Sequence, residues 1–183
     1  MFLVLLCAKE VYVVCAWQEL ERLGQTLIVG RRTNVEWRQN ETMQVPENVA
    51  HIARRRGRLF FIHAEDYFFI PRNEFPWHCV PADLVIAIPG YDNFLVATAI
   101  MNNVSVIDAT ASVLAVHMTD KEGNRAGFRS AEKNFNKQLI GTFNYQRGRT
   151  SMAQYATTVI RNTTYGTLHI VITQRRRQDK KKL

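Results

Sequence analysis

The sequence predicts an α/β domain: a mixed β-sheet with flanking helices. Short runs of branched apolar residues, each of strand length, alternate with stretches whose apolar residues recur at helical spacing. The length of 183 residues fits one domain with a real core. A content of 46% hydrophobic and 22% charged residues is ordinary for a globular chain.

The elements follow in order. Phe2–Leu6 reads as a strand or part of a helix, too short to span a bilayer. A signal peptide is disfavoured, because no basic region precedes the run and Lys9-Glu10 interrupt it. Lys9 to Leu23 reads as a helix: Val11, Val14, Trp17, Leu20 and Leu23 fall on one stripe, and Gly24 stops it. Thr26–Val29 is a strand that ends in Gly30-Arg31-Arg32-Thr33-Asn34. Pro46 to Arg56 is a helix, with Pro in the first turn, Arg in the last and Gly57 beyond. Arg58–His63 and Tyr67–Ile70 are strands flanking Ala64-Glu65-Asp66. The stretch Phe75–Pro81 is a two-proline connection in which Trp77 either packs in the core or stacks on a ligand ring.

The densest pattern runs from Ala82 to Met118. Leu84–Ile88 is expected as a buried central strand, broken by Pro89-Gly90. Asp92 and Asn93 stand where a helix begins, and both residue types cap well. The helix runs to Asn102-Asn103, since Asn tolerates the left-handed geometry of a helix stop. Val104–Ile107 and Val113–Val116 follow as strands, the second ending in His117. Thr119–Arg129 is polar and reads as a loop that could cover a site. Ser130 to Leu139 reads as a helix, and Tyr145–Tyr155 is ambiguous. Ala156–Ile160 and Thr167–Thr173 form a hairpin turning at residues 162–166.

The net charge of +8 is local, concentrated in Arg54-Arg55-Arg56 and in Arg175–Lys182. Residues 174–183 carry six basic side chains and no apolar period, so they read as a disordered tail behind a domain of residues 1–173. Binding of nucleic acid is confined to that tail. Three cysteines, Cys7, Cys15 and Cys79, imply no disulfide framework. Asn40, Asn103 and Asn162 match the glycosylation sequon, which leaves both a cytoplasmic and a secretory location open. Asn103, at a helix end, is expected to be partly buried. No P-loop, zinc spacing, nucleophile elbow or dinucleotide glycine fingerprint occurs.

The segments IVGRRTN, IPGYDNFLVATAI, VSVIDAT and VLAVHMT, in that order, resemble the C-terminal half of nucleotide-diphospho-sugar transferases of the GT-A fold, the family-two glycosyltransferase type. The resemblance covers roughly Leu27 to Thr119. It implies inverting transfer of a sugar from a nucleotide-sugar to an acceptor hydroxyl, glycan or other. Asp92 would be the general base, and Tyr91 and Asn93 beside it would contact substrate. Arg31 and Arg32 would hold the diphosphate; on their own they read equally as solvated surface charges. His117 would bind a divalent metal, Mn or Mg. Glu65 and Asp66 would lie on the acceptor side, although by pattern alone they are also a turn. The family's Asp-x-Asp donor motif has no counterpart before Gly30, so the expected chain is either truncated, without the donor-binding part, or a shortened homologue that cannot hold a nucleotide-sugar. The alternative is a non-catalytic α/β module that binds anions or acts as a scaffold.

Overall fold

A computed structural model describes residues 3–7, 22–38, 41, 45–70, 73, 75–119, 131–141, 145–161 and 168–175. Residues 9–21 of the predicted helix before Gly24, the covering loop after Thr119, the hairpin turn, the sequons at Asn40 and Asn162 and the charge run from residue 176 onward lie outside the described residues.

The architecture is α/β, as the alternating pattern predicts, but with two mixed sheets in place of one. Nine strands are described: β1 (Leu3–Cys7), β2 (Thr26–Gly30), β3 (Arg32–Glu36), β4 (Arg58–Leu59), β5 (Tyr67–Phe69), β6 (Ser105–Asp108), β7 (Val113–Thr119), β8 (Tyr155–Arg161) and β9 (Leu168–Gln174). Among them lie the helices α1 (Pro46–Arg56), α2 (Tyr91–Met101) and α3 (Phe135–Ile140). One sheet has the order β5-β2-β6-β8-β9, the other β1-β7-β3-β4. In both, parallel strands form the centre and antiparallel strands the edges.

The two sheets share a ribbon. β2 runs into β3 with only Arg31 between them, and β6 runs into β7 through residues 109–112. β2 pairs parallel with β6 up to Val29 opposite Asp108; β3 pairs parallel with β7 from Arg32 opposite Ala115. The β6–β7 strand therefore carries extra residues at the crossing, and these form a tight turn closed by Ala109, Ser112 and Val113. Gly30-Arg31-Arg32, expected as the open end of a strand, is thus the passage from one sheet to the next. Gly30 is fixed by packing: a Cβ there would overlap the Tyr67 ring.

Each sheet buries its own helix. α2 covers the five-stranded sheet, where Leu27, Val29, Leu95, Val96, Ala99, Val104, Val106 and Phe75 form the main core. Residues Leu95–Ala99 are buried in succession, so this helix is enclosed by protein rather than laid on the surface. α1 covers the four-stranded sheet through Val49 and Ala53 against Val35 and Val116. Asn103 ends the turn after α2 with φ of 59°, the left-handed geometry expected of it, but it is exposed rather than partly buried.

Leu84–Ile88 is not a strand. Val85 is 42% and Ile86 71% exposed, and Ala87 takes a positive φ of 68°, which no extended strand allows. β2 has β5 and β6 as neighbours, and β6 has β2 and β8, so neither central position is open to it. Its backbone is satisfied by a side chain. Asn136, 0% exposed, accepts from the Val85 N–H at 2.9 Å and donates to the Val85 and Ile88 carbonyls at 2.8 and 3.1 Å. Trp77 likewise sits outside the core, 44% exposed, while its neighbour Phe75 fills the interior.

Replacing Asn136 with Ala removes all three bonds and leaves part of this backbone unpaired. Urea unfolding should show a loss of about 2 kcal/mol, against less than about 0.5 kcal/mol for the exposed neighbour Lys137→Ala.

Candidate functional site

Asp92 and Asn93 do not cap α2. The cap position belongs to Gly90, whose φ of 99° only glycine adopts readily. Helical geometry begins at Tyr91, so Asp92 and Asn93 fall within the first turn. Tyr91 leans on the main core.

The Asn93 side chain ties the helix start to two loops. Its Nδ2 donates to Glu65 Oε2 at 2.8 Å, to the His63 carbonyl at 2.9 Å and to the Gly148 carbonyl at 3.2 Å. Gly148 approaches so closely that a Cβ on it would overlap the Asn93 backbone. The segment of residues 145–152 thus sits directly on the beginning of α2.

Glu65 is 4% exposed, and its Oε1 has no hydrogen-bond partner among the described residues. Burial is the main reason that its pKa is pushed up to about 9, with the charges of Asp92 and Asp66 adding to the rise. The Thr150 amide works the other way but does not offset burial. Glu65 is therefore neutral at pH 7. Burial also raises Asp92, to about 6, although the Asn93 N–H, 3.0 Å from Oδ1, and the Glu65 amide favour its charged form. Asp92 is charged for the most part at pH 7. Two neighbouring carboxyls thus rest in different protonation states.

Asp66 is bound by Arg32. Arg32 NH1 lies 2.5 Å from Asp66 Oδ1, and the Arg32 amide donates to Oδ2 at 3.2 Å. Arg32 Nε donates to Asn34 Oδ1 at 2.9 Å, and the guanidinium lies 4.1 Å from the centre of the Phe60 ring. Arg32, expected on a diphosphate, is committed to holding the loop before β5 against β3.

Arg31 is placed otherwise. With Ile62, Asp108, Thr150, Ser151 and Arg175 it lines a pocket of about 220 Å³ at the carboxyl ends of β2 and β6. Ligands of open α/β sheets collect at such ends. The Arg31 amide donates to Thr110 Oγ1 at 3.1 Å, and Nε is buried without a hydrogen-bond partner among the described residues. Arg175 faces the same pocket, pairing with Asp108 Oδ2 at 2.5 Å and donating to the Thr150 carbonyl at 2.6 Å. Thr150 is shared: its hydroxyl donates to the Ile62 carbonyl and its amide points toward Glu65. Thr150 therefore joins the pocket to Glu65.

Asp108, Thr150 and Arg175 escaped the sequence reading. Asp108 ends a strand of the parallel ribbon, a position that could have marked it. Arg175 was counted into a disordered tail, yet Gln174 is the last residue of β9 and Arg175 is half-buried.

His117 stands apart. It is 3% exposed and lies inside β7, two residues before its end, between Leu3 of β1 and Asn34 of β3. No histidine is among the groups that shift Asp92 or Glu65. Among the described residues, no three His, Cys, Asp or Glu side chains are grouped to hold a metal ion. Ligands must be deprotonated and free to bind. Glu65 keeps its proton, Asp66 is saturated by Arg32, and His117 belongs to the other sheet. The described residues thus offer His117 no set of three ligands for the divalent ion expected there. No helix among the described residues is long and apolar enough to cross a membrane.

Compared with protein-family models, with curated proteins and with solved structures, the chain matches none.

A carboxyl whose pKa is raised by folding stabilises the fold below its ordinary pKa, and that stability is lost as pH rises through the folded value. For Glu65 the window runs from about 4.5 to about 9. Glu65→Gln copies the neutral form and cannot lose a proton. Thermal melts from pH 5 to pH 9 should show the native chain losing at least about 5 °C more than Glu65→Gln.

Proposed function

We propose that the chain carries the acceptor side of a nucleotide-sugar-dependent transferase, built as the C-terminal half of a GT-A fold. Asp92 serves as the general base for an inverting transfer. The observation that carries this reading is the Asp92–Glu65 pair at the start of α2. One carboxyl is ionised near neutral pH, beside a second that is kept neutral, and this second one meets the amide of Thr150, which lines the arginine pocket.

In the reaction, an acceptor hydroxyl gives its proton to the Asp92 carboxylate as its oxygen attacks the anomeric carbon. The new oxygen–carbon bond forms while the bond to the diphosphate breaks on the opposite face, and Asp92 later releases the proton to solvent. A base with pKa near 6 is charged at pH 7 yet basic enough to draw a proton in the transition state. Neutral Glu65 keeps a second negative charge away from it. Arg31, rather than Arg32, is the guanidinium available to a diphosphate leaving group. No step here passes through a metal.

The assay is release of UDP or GDP from a panel of nucleotide-sugars and hydroxyl acceptors by the full-length protein, its donor-binding part restored. Asp92→Asn should lower turnover about a hundredfold or more at an unchanged melting temperature, and should abolish an acidic limb with a midpoint near pH 6. Turnover that survives Asp92→Asn overturns the base assignment, and a protein with its donor-binding part restored that accepts no nucleotide-sugar overturns the transferase. The arginine-lined pocket favours a second reading, a non-catalytic anion-binding module. It would show phosphate binding that Asp92→Asn leaves untouched.

A further inference from the structure

A larger cleft, about 580 Å³, opens at the carboxyl ends of the other parallel pair, β3 and β7. Of its lining residues only Asn34 belongs also to the site described above, where its Oδ1 accepts from Arg32 Nε. Its volume falls within the range of about 300–1,000 Å³ usual for ligand clefts. Glu36 and Thr119, opposite each other in register, form its floor, with Asn34 beside them.

One wall is rigid. Arg56, at the end of α1, binds both carboxylate oxygens of Glu41 and donates to the Glu36 carbonyl at 2.9 Å. The Arg56 guanidinium holds Glu41 well down, at about 2, so this clamp persists at any physiological pH. Glu41 in turn accepts from the Arg38 amide at 3.0 Å, and its carbonyl accepts from Trp37 Nε1 at 3.1 Å. The clamp fixes the indole of Trp37 in the cleft lining and aims the chain at Arg38.

The other wall is basic. Arg38 and Arg58 are exposed and line the cleft, and the Arg58 guanidinium has no hydrogen-bond partner among the described residues. Arg54 and Arg55, both exposed, add charge just before it in the chain. Basic residues at a helix end offset the helix dipole, which accounts for Arg54–Arg56. It does not account for Arg38 and Arg58, which belong to no helix.

We infer that this cleft binds an anionic saccharide, a sugar chain bearing sulfate or carboxylate groups. Arg38 and Arg58 grip the anionic groups, Trp37 offers an apolar face to a ring, and Asn34, Glu36 and Thr119 bond hydroxyls. Guanidinium forks suit planar carboxylates and tetrahedral oxyanions alike. The Glu36 carboxylate favours a saccharide over single-stranded DNA, because it accepts from ring hydroxyls, which a saccharide carries on every unit and a deoxyribose-phosphate backbone lacks.

The test is calorimetry of the full chain with a heparin-derived hexasaccharide at 150 mM salt. The double variant Arg38→Ala/Arg58→Ala should bind at least tenfold more weakly at an unchanged melting temperature. A single-stranded oligonucleotide of equal charge should bind the native chain at least tenfold more weakly than the hexasaccharide does. Should the double variant be unstable, Arg58→Gln, at an exposed edge position, should by itself weaken binding about threefold or more. Absence of binding, binding indifferent to these variants, or an oligonucleotide that binds as tightly overturns the inference.

Discussion

The constraint on which the rest of the molecule depends is the parallel pairing of residues 26–36 with residues 105–119. It is one ribbon that crosses from one sheet into the other. At the crossing the hydrogen-bond ladder is interrupted, and side chains take over. Asp108 Oδ1 accepts from both the amide and the hydroxyl of Thr110, and that hydroxyl accepts from Arg31. Asp108 Oδ2 faces Arg175. A bend in a ribbon leaves polar backbone and space on its outer side. Here that space is the arginine-lined pocket, so the feature that joins the sheets also makes the candidate site.

The carboxyl pair shows how burial and hydrogen bonding compete. Asp92 receives the backbone donors that a helix start supplies, and alone these would hold it in the ordinary carboxylate range. Enclosure by the segments before β5 and before β8 outweighs them. Glu65 has the Asn93 amide as a partner and little else, and burial dominates outright. Asn93 is the piece common to both. By spending its amide hydrogens on Glu65 and on the His63 and Gly148 carbonyls, it draws both loops over the helix start and so creates the low-dielectric setting that separates the two carboxyls.

Much of the framework was legible in the sequence because local signals agreed with tertiary ones. Pro46 and Gly57 bracket α1, the left-handed Asn103 follows α2, and alternation marks the β8–β9 hairpin. Leu84–Ile88 misled because a short apolar run reports apolarity and not a partner, and the partner is a single side chain about fifty residues later. Asp92 was readable as a helix-start carboxylate, but its pairing with Glu65 was not. That pairing rests on Asn93 and Gly148, whose roles exist only once three segments meet. Arg32 and Arg175 exchanged expected places for a similar reason: adjacent charges look alike until one of them finds a carboxylate. His117 looked like a strand end because the branched apolar run stops at Val116, whereas pairing with β3 carries β7 on to Thr119.

The position of β1 sets a timetable for synthesis. Leu3 pairs with His117 and Cys7 with Val113, a separation on the order of 110 residues. A ribosome adding about 5–20 residues per second exposes β1 roughly 5–20 s before its partner exists. During that interval the apolar sequence LVLLC has no sheet to join. The four-stranded sheet can close only after β7 has emerged. By then β2 and β6 are available to pair, and the five-stranded sheet still awaits β8 and β9. The first strand made in the four-stranded sheet is thus the one left longest to the care of a chaperone.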